Sequence, residues 1–407
     1  MTRVQSGLDR WIAEGPSVCA ARPGDRVGLL AHPASVDRDG CHILERLDAL
    51  ATFPDGSTAL TWKRLFAPEH GLWGHAQDME TVDSGHDPWT GLPVVSLYGE
   101  DEASLTPGEN DLADLDLLVV DLQDIGARYY TYIYTMAAMM AVAGRVGVRV
   151  AVLDRPNPIA EQPADGPLLE ERFASFVGRY PLPITHGLTI GELAALFRDR
   201  FDIPCDLTVV PLQGWQRGQT FEGCGLPWVP PSPNMPTLTT ARLYPGGCLI
   251  EGTQLSEGRG TTTPFELVGA PWIDGRALAT TMRGLELPGV AFRPASFRPM
   301  FQKHAGAACQ GVQLLLTDGA RLRPIETYLA LIAACRDQNP EAFDWRRERY
   351  EFVNDRLAID LLCGGETPRQ AIEGGDLNRS LPTLRRWVSQ RSSFTVLRNT
   401  RYGELFS

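Results

Sequence analysis

The sequence predicts an α/β protein, with a parallel-sheet domain over residues 1–232 and a smaller α+β domain over 233–407. Three observations carry this expectation. Short apolar runs alternate with longer amphipathic ones through the first half, the pattern of strands joined by crossover helices. A length of 407 residues suits about two domains. Residues 222–272 then change texture, with Pro227, Pro230, Pro231, Pro233 and Pro236 close together, and read as a rigid loop leading into the second domain.

The elements follow in order. Val27 to Ala31 reads as a buried strand, Ile43 to Ala51 as a helix and Leu60 to Phe66 as a second strand. Leu115 to Val120 is a third strand, Thr131 to Val146 a helix and Val148 to Leu153 a fourth strand. In the stretch from Thr189 to Phe201, Leu193, Leu196 and Phe197 share one helical face and Thr189 can cap the start. Leu207 to Val210 is a fifth strand. In the second half, Glu326 to Arg336 reads as an amphipathic helix, and Gly364 to Arg379 as one helix flanked by turns.

Polar residues follow four strands in turn. The first ends at His32-Pro33, the second at Pro68-Glu69-His70-Gly71, the third at Asp121-Leu122-Gln123-Asp124 and the fourth at Asp154-Arg155-Pro156-Asn157. In a parallel sheet these ends share one edge, and ligands of open α/β sheets bind beyond that carboxyl edge. The edge is therefore the expected site.

Composition narrows the function. A net charge of −12 argues against a nucleic-acid partner, which needs a basic face, while leaving room for an anionic small substrate held by a local Arg cluster. The eight cysteines form no C-x-x-C pair and read as scattered reduced thiols. The first ten residues lack the apolar run of a signal peptide, and no apolar stretch approaches a membrane helix, so a cytoplasmic location away from membranes is expected. A homo-oligomer is left open.

Glu69 sits in a constrained turn at a strand end. Apolar walls from Phe66 and Trp73 would disfavour the charged form of a carboxyl group, which is what a general acid for a glycosidic oxygen requires. A loop-stapling carboxylate is the plain alternative. Asp121 and Asp124 lie just off a central strand, and Arg128 can pair with one of them or clamp a substrate carboxylate. Tyr129, Tyr130 and Tyr132 offer ring faces and hydroxyls, which suit sugars. Glu251, Glu257 and Arg259 sit among glycines and could wall a polar pocket or brace the loop as an ion network.

His32, His70, His75 and His86 with Asp78, Asp83 and Asp87 have irregular spacing, without a zinc-helix pattern. No G-x-S-x-G elbow and no G-x-G-x-x-G turn is present, so serine catalysis and dinucleotide binding have little support. Neither a metal nor another cofactor is expected.

Several stretches together carry a resemblance: Phe66 to Gly71, Asp121 to Tyr132, Asp154 to Pro158, His186 to Glu192, Ser232 to Pro236, and Glu251 to Thr261 with Pro264-Phe265-Glu266. With these motifs the chain resembles the exo-β-N-acetylmuramidase family, formerly grouped as a domain of unknown function. The resemblance implies a Rossmann-like N-terminal domain, a smaller C-terminal domain and a cleft between them. It implies release of terminal N-acetylmuramic acid from non-reducing ends of β-1,4-linked peptidoglycan fragments such as MurNAc–GlcNAc, in cell-wall recycling. The family's catalytic glutamate matches Glu69.

The expected catalytic residues are Glu69, Asp124 and Glu251, with Glu257 a further candidate for the second group. His32, His70, Asp121, Arg128, Tyr129, Tyr132, Asn157, His186, Asn234, Glu257 and Arg259 are the expected substrate contacts. Arg128 or Arg259 would meet the lactyl carboxylate of muramic acid. Two other classes compete: a metal-dependent amidohydrolase acting on cell-wall peptides, and a non-catalytic sugar-binding protein with a hinge cleft.

Overall fold

The computed structural model describes residues 3–77 and 79–390, together with Tyr402 and Glu404. Asp78 lies outside the described residues. Seven strands form the main sheet: β1 (Arg26–Ala31), β2 (Thr61–Ala67), β3 (Gly85–His86), β4 (Pro93–Ser96), β5 (Leu117–Asp121), β6 (Arg149–Leu153) and β7 (Leu207–Val210). Their order is β3-β4-β2-β1-β5-β6-β7, parallel throughout except for β3 against β4.

The apolar runs become strands because both faces of the sheet are covered. β1 sends Val27, Leu29 and Ala31 to one face and Leu30 to the other; β5 divides Leu117 and Val119 from Leu118 and Val120 in the same way. The first face is covered by α1 (Gly7–Glu14) and α2 (Leu47–Ala51), the second by α3 (Tyr132–Val146) and α4 (Ile190–Arg200). α4 starts as its sequence implies: the Thr189 hydroxyl accepts from the Glu192 N–H, and the Glu192 side chain accepts from the Thr189 N–H.

Beyond α5 (Phe221–Cys224) and α6 (Leu238–Gly247) lies a second, antiparallel sheet of β8 (Leu267–Ala270), β9 (Val290–Phe297) and β10 (Cys309–Leu316), ordered β8-β10-β9. It is accompanied by α7 (Gly275–Gly284), α8 (Pro324–Gln338), α9 (Ala358–Cys363), α10 (Thr367–Glu373) and α11 (Leu377–Val388). One apolar cluster runs from Leu30 and α3 through α6 and α8 to Val388, so the two sheets share a continuous core. No helix among the described residues is long and apolar enough to cross a membrane.

Three segments depart from expectation. Ile43 to Ala51 splits into a 3₁₀ turn over Ile43–Arg46 followed by α2. The stretch expected as rigid loop contains α6, which carries Pro245 in its last turn and there forgoes one bond of the helical ladder. Gly364 to Arg379 is two helices, because Gly374 and Gly375 separate α10 from α11.

Candidate active site

Register places the expected polar ends along one edge. Leu30 of β1 pairs with Phe66 of β2 and Ala31 with Asp121 of β5, while Val120 pairs with Val152 of β6. Glu69 stands two residues beyond β2, in a turn closed by the Gly71 N–H on the Pro68 carbonyl at 2.9 Å. His70 within that turn has φ +69°, a left-handed conformation that costs a non-glycine residue on the order of 1 kcal/mol. Its Nδ1 lies 3.0 Å from the Ala76 carbonyl, which fixes the ring.

The Glu69 carboxyl is buried, and its Oε2 accepts from the Thr131 hydroxyl at 2.7 Å. It opens on a pocket of about 530 Å³, part of it open to solvent, also lined by Tyr129, Tyr130, Tyr132, Ser232, Asn234, Tyr244, Glu251, Arg259, Tyr350 and Glu351. The walls differ from the expected pair: neither Phe66 nor Trp73 lines the pocket. Trp73 instead packs on His42 and Trp89 and donates to Asp87.

Across the pocket, Glu251 follows α6 in a 3₁₀ turn over Cys248–Gly252. Its Oε1 pairs with Arg259 at 3.0 Å and its Oε2 accepts from the Tyr350 hydroxyl at 2.9 Å. Arg259 also lies over the Phe265 ring, 5.2 Å from its centre. The neighbouring Glu351 accepts from the Tyr98 hydroxyl at 3.0 Å. Glu351 and Phe352 have φ +44° and +66°, two consecutive left-handed residues between the reciprocally bonded Tyr350 and Val353. Such strain concentrates at functional sites.

Of the expected site residues, the structure brings Glu69, His70, Tyr129, Tyr132, Asn234, Glu251 and Arg259 to this pocket. Asn234 donates to Gln77 there. The others sit behind it. Asp121 is spent on Arg155 in a two-pronged pair at 2.5 and 2.7 Å. His32 is fully buried beside the third strand end, with Nε2 accepting from the Gln123 N–H at 2.9 Å; burial pushes its pKa down to about 3. Asp124 accepts from the Gly126 N–H at 2.6 Å, with His186 Nε2 3.2 Å from the same carboxylate oxygen.

Gly126 is required at that turn: its φ is +86°, and a Cβ would lie 2.6 Å from the Asn157 side chain. Asn157 itself bridges the Leu188 carbonyl and the Ile159 N–H. Glu257 pairs with Lys303 at 2.7 Å and does not line the pocket.

Arg128 is the clearest correction. It is fully buried, and its guanidinium donates to the carbonyls of Leu182 and Leu362, both at 2.8 Å, and of Pro167 at 3.2 Å. Burial lowers its pKa. It staples the segment before α3 to α9 and does not line the pocket.

Sequence reasoning left out Thr131 and Glu351 as site residues. Thr131 lies inside a segment already singled out, so its neighbours were the available signal. Glu351 had none, since left-handed turns are ordinarily marked by Asn or Gly. Among the described residues no three His, Cys, Asp or Glu side chains converge as metal ligands.

Comparison with known proteins agrees with the architecture. The family description "Exo-beta-N-acetylmuramidase NamZ, N-terminal" matches residues 27–239, and its C-terminal counterpart matches residues 242–402. The chain is 43% identical over 399 residues to the peptidoglycan β-N-acetylmuramidase NamZ of Bacillus subtilis strain 168, covering 97% of this chain and 91% of that protein. Two crystal structures of DUF1343 family proteins from Bacteroides fragilis superpose with TM-scores of 0.82 and 0.70, at 30% and 27% identity; in each case 98% of both chains is covered. The chain belongs to the exo-β-N-acetylmuramidase NamZ family.

Proposed function

We propose that this chain is an exo-acting glycosidase that releases terminal N-acetylmuramic acid from the non-reducing end of β-1,4-linked peptidoglycan fragments, with Glu69 as the general acid. One observation carries the residue assignment. A buried carboxyl at the sheet's carboxyl edge opens on the same pocket as a second carboxylate, Glu251, that is fixed by Arg259 and Tyr350. Glycoside hydrolysis requires two such groups, one to protonate the leaving oxygen and one to meet the charge that develops at the anomeric carbon.

In this reading Glu69 transfers its proton to the bridging oxygen as the C1–O bond breaks. Thr131 orients the carboxyl, and Glu251 faces the oxocarbenium-like centre or activates water. Arg259 supplies the guanidinium for the lactyl carboxylate, despite the chain's net negative charge. Residues from both sides of Ser232 to Asn234 build the pocket, which supports a domain division near 232. A cytoplasmic place in cell-wall recycling is supported by eight cysteines, none in a disulfide.

The test is hydrolysis of MurNAc–GlcNAc by the purified chain, followed by proton NMR. Release of muramic acid that is lost in Glu69→Gln supports the assignment. Undiminished release in that variant removes it.

A further inference from the structure

Tyrosines stand at 129, 130, 132 and 134 around the start of α3. Three of them pass their hydroxyl to a main-chain carbonyl. Tyr129 donates to Pro245, Tyr132 to Pro231 at 2.6 Å and Tyr134 to Arg128 at 2.7 Å. Tyr130 differs. The residue is 6% exposed, and its hydroxyl oxygen is buried with no hydrogen-bond partner among the described residues. The hydroxyls of Ser232 and Tyr132 are close by, but neither meets it in hydrogen-bonding geometry.

A buried hydroxyl without a partner costs roughly 1–3 kcal/mol, and native folds hold few such groups. Here the cost falls in the Glu69 pocket, which Tyr130 lines. Edge-to-face contacts with Tyr132 and Tyr244, at 5.0 and 5.8 Å, hold the ring. Burial keeps the phenol protonated far above its ordinary range, so it acts as a donor.

The pocket's carboxylates at Glu69, Glu251 and Glu351 can accept from sugar hydroxyls, but an oxygen that only accepts needs a donor. An N-acetylated sugar brings such an oxygen in its acetamide carbonyl. Its lactyl carboxylate is better matched by the charge of Arg259, and one of the two Asn234 amide N–H groups is taken up by Gln77.

We propose that the Tyr130 hydroxyl donates a hydrogen bond to the acetamide carbonyl of the sugar bound in this pocket, making Tyr130 a specificity-determining residue. The proposal rests on reading the pocket as the glycosidase site.

The experiment is calorimetric titration of the full chain and of Tyr130→Phe with N-acetylmuramic acid and with 3-O-lactylglucose, which carries a hydroxyl in place of the acetamide. The wild-type chain is expected to prefer the acetamide sugar by roughly tenfold, and Tyr130→Phe to bind both alike. Melting separates this from a structural role. Tyr130→Phe sheds the unpartnered hydroxyl and should melt no lower than the wild type, whereas Tyr132→Phe strands the Pro231 carbonyl and should melt lower.

An undiminished acetamide preference in Tyr130→Phe overturns the proposal, as does a melting loss matching that of Tyr132→Phe. If neither sugar binds the wild type while Glu69→Gln stays fully active, the pocket reading falls with it. If Glu69→Gln is inactive but the preference survives in Tyr130→Phe, only the role of Tyr130 is removed.

Discussion

Thr131 stands at the N-cap of α3, yet its hydroxyl donates to Glu69 Oε2 at 2.7 Å instead of capping the helix. An N-cap bond is typically worth about 1 kcal/mol, so this helix forgoes stability to fix a carboxyl group. The substitution Thr131→Val loses no helix cap but strands the buried Glu69 Oε2, so it should lower the unfolding free energy by about 1–3 kcal/mol without unfolding the chain. It should lower kcat roughly ten- to a hundredfold through misorientation of Glu69. Unchanged turnover on MurNAc–GlcNAc would show that the contact serves the fold alone.

Glu69→Gln keeps the shape and removes the proton donor. On the disaccharide, kcat should fall on the order of 10²- to 10⁴-fold, with the circular dichroism spectrum unchanged. A 4-nitrophenyl muraminide has a leaving group that needs little protonation, so the loss there should be much smaller. Equal losses on both substrates would argue for a role other than acid.

The two arginines offered as alternatives for the lactyl carboxylate stand in different surroundings. Arg259 lines the pocket beside Glu251, so Arg259→Met should weaken N-acetylmuramic acid more than N-acetylglucosamine in a binding titration. Arg128 lies under three carbonyls. Arg128→Met should reduce unfolding free energy by about 3–5 kcal/mol in urea, since it strands those acceptors, and should leave sugar preference alone in the folded fraction. A selective loss of the lactyl sugar in Arg128→Met would reverse this division.

The sheet was legible because its strands are buried on both faces and flanked by polar turns, so β1, β2, β5, β6 and β7 stand out as apolar runs. Glu69 was legible for the same reason, as a carboxyl at a strand end. β3 and β4 were not, because β3 is two exposed residues and β4 offers only Val94 and Val95 between a proline and a serine. The strand ends also gave no means of telling a group facing the ligand from one bracing the edge. Asp121 and Glu69 look alike in sequence, and only Arg155, supplied from the end of β6, takes Asp121 out of the site. Glu351 depends on a strained turn far along the chain, and its placement beside Glu69 is a long-range property that no local pattern encodes.

The same edge holds two buried groups whose titrations oppose each other. Burial raises the Asp154 carboxyl to about 7, against 3.8 for an ordinary aspartate, although Tyr402, Gly191 and Thr189 all donate to it. Between about pH 4 and 7 the folded chain thus holds a proton that the unfolded chain has released, and stability falls as pH rises. Burial lowers His32 from 6.5 to about 3, so between those values the unfolded chain holds the extra proton and stability rises with pH. Each effect is on the order of 4 kcal/mol across its window, and the windows overlap from about pH 4 to 6.5. Asp154→Asn removes one of the two slopes. Its unfolding free energy, measured in urea, should climb by several kcal/mol over that interval while the wild type stays comparatively flat. Parallel curves for the two proteins would show that Asp154 titrates in the folded chain as it does in the unfolded one.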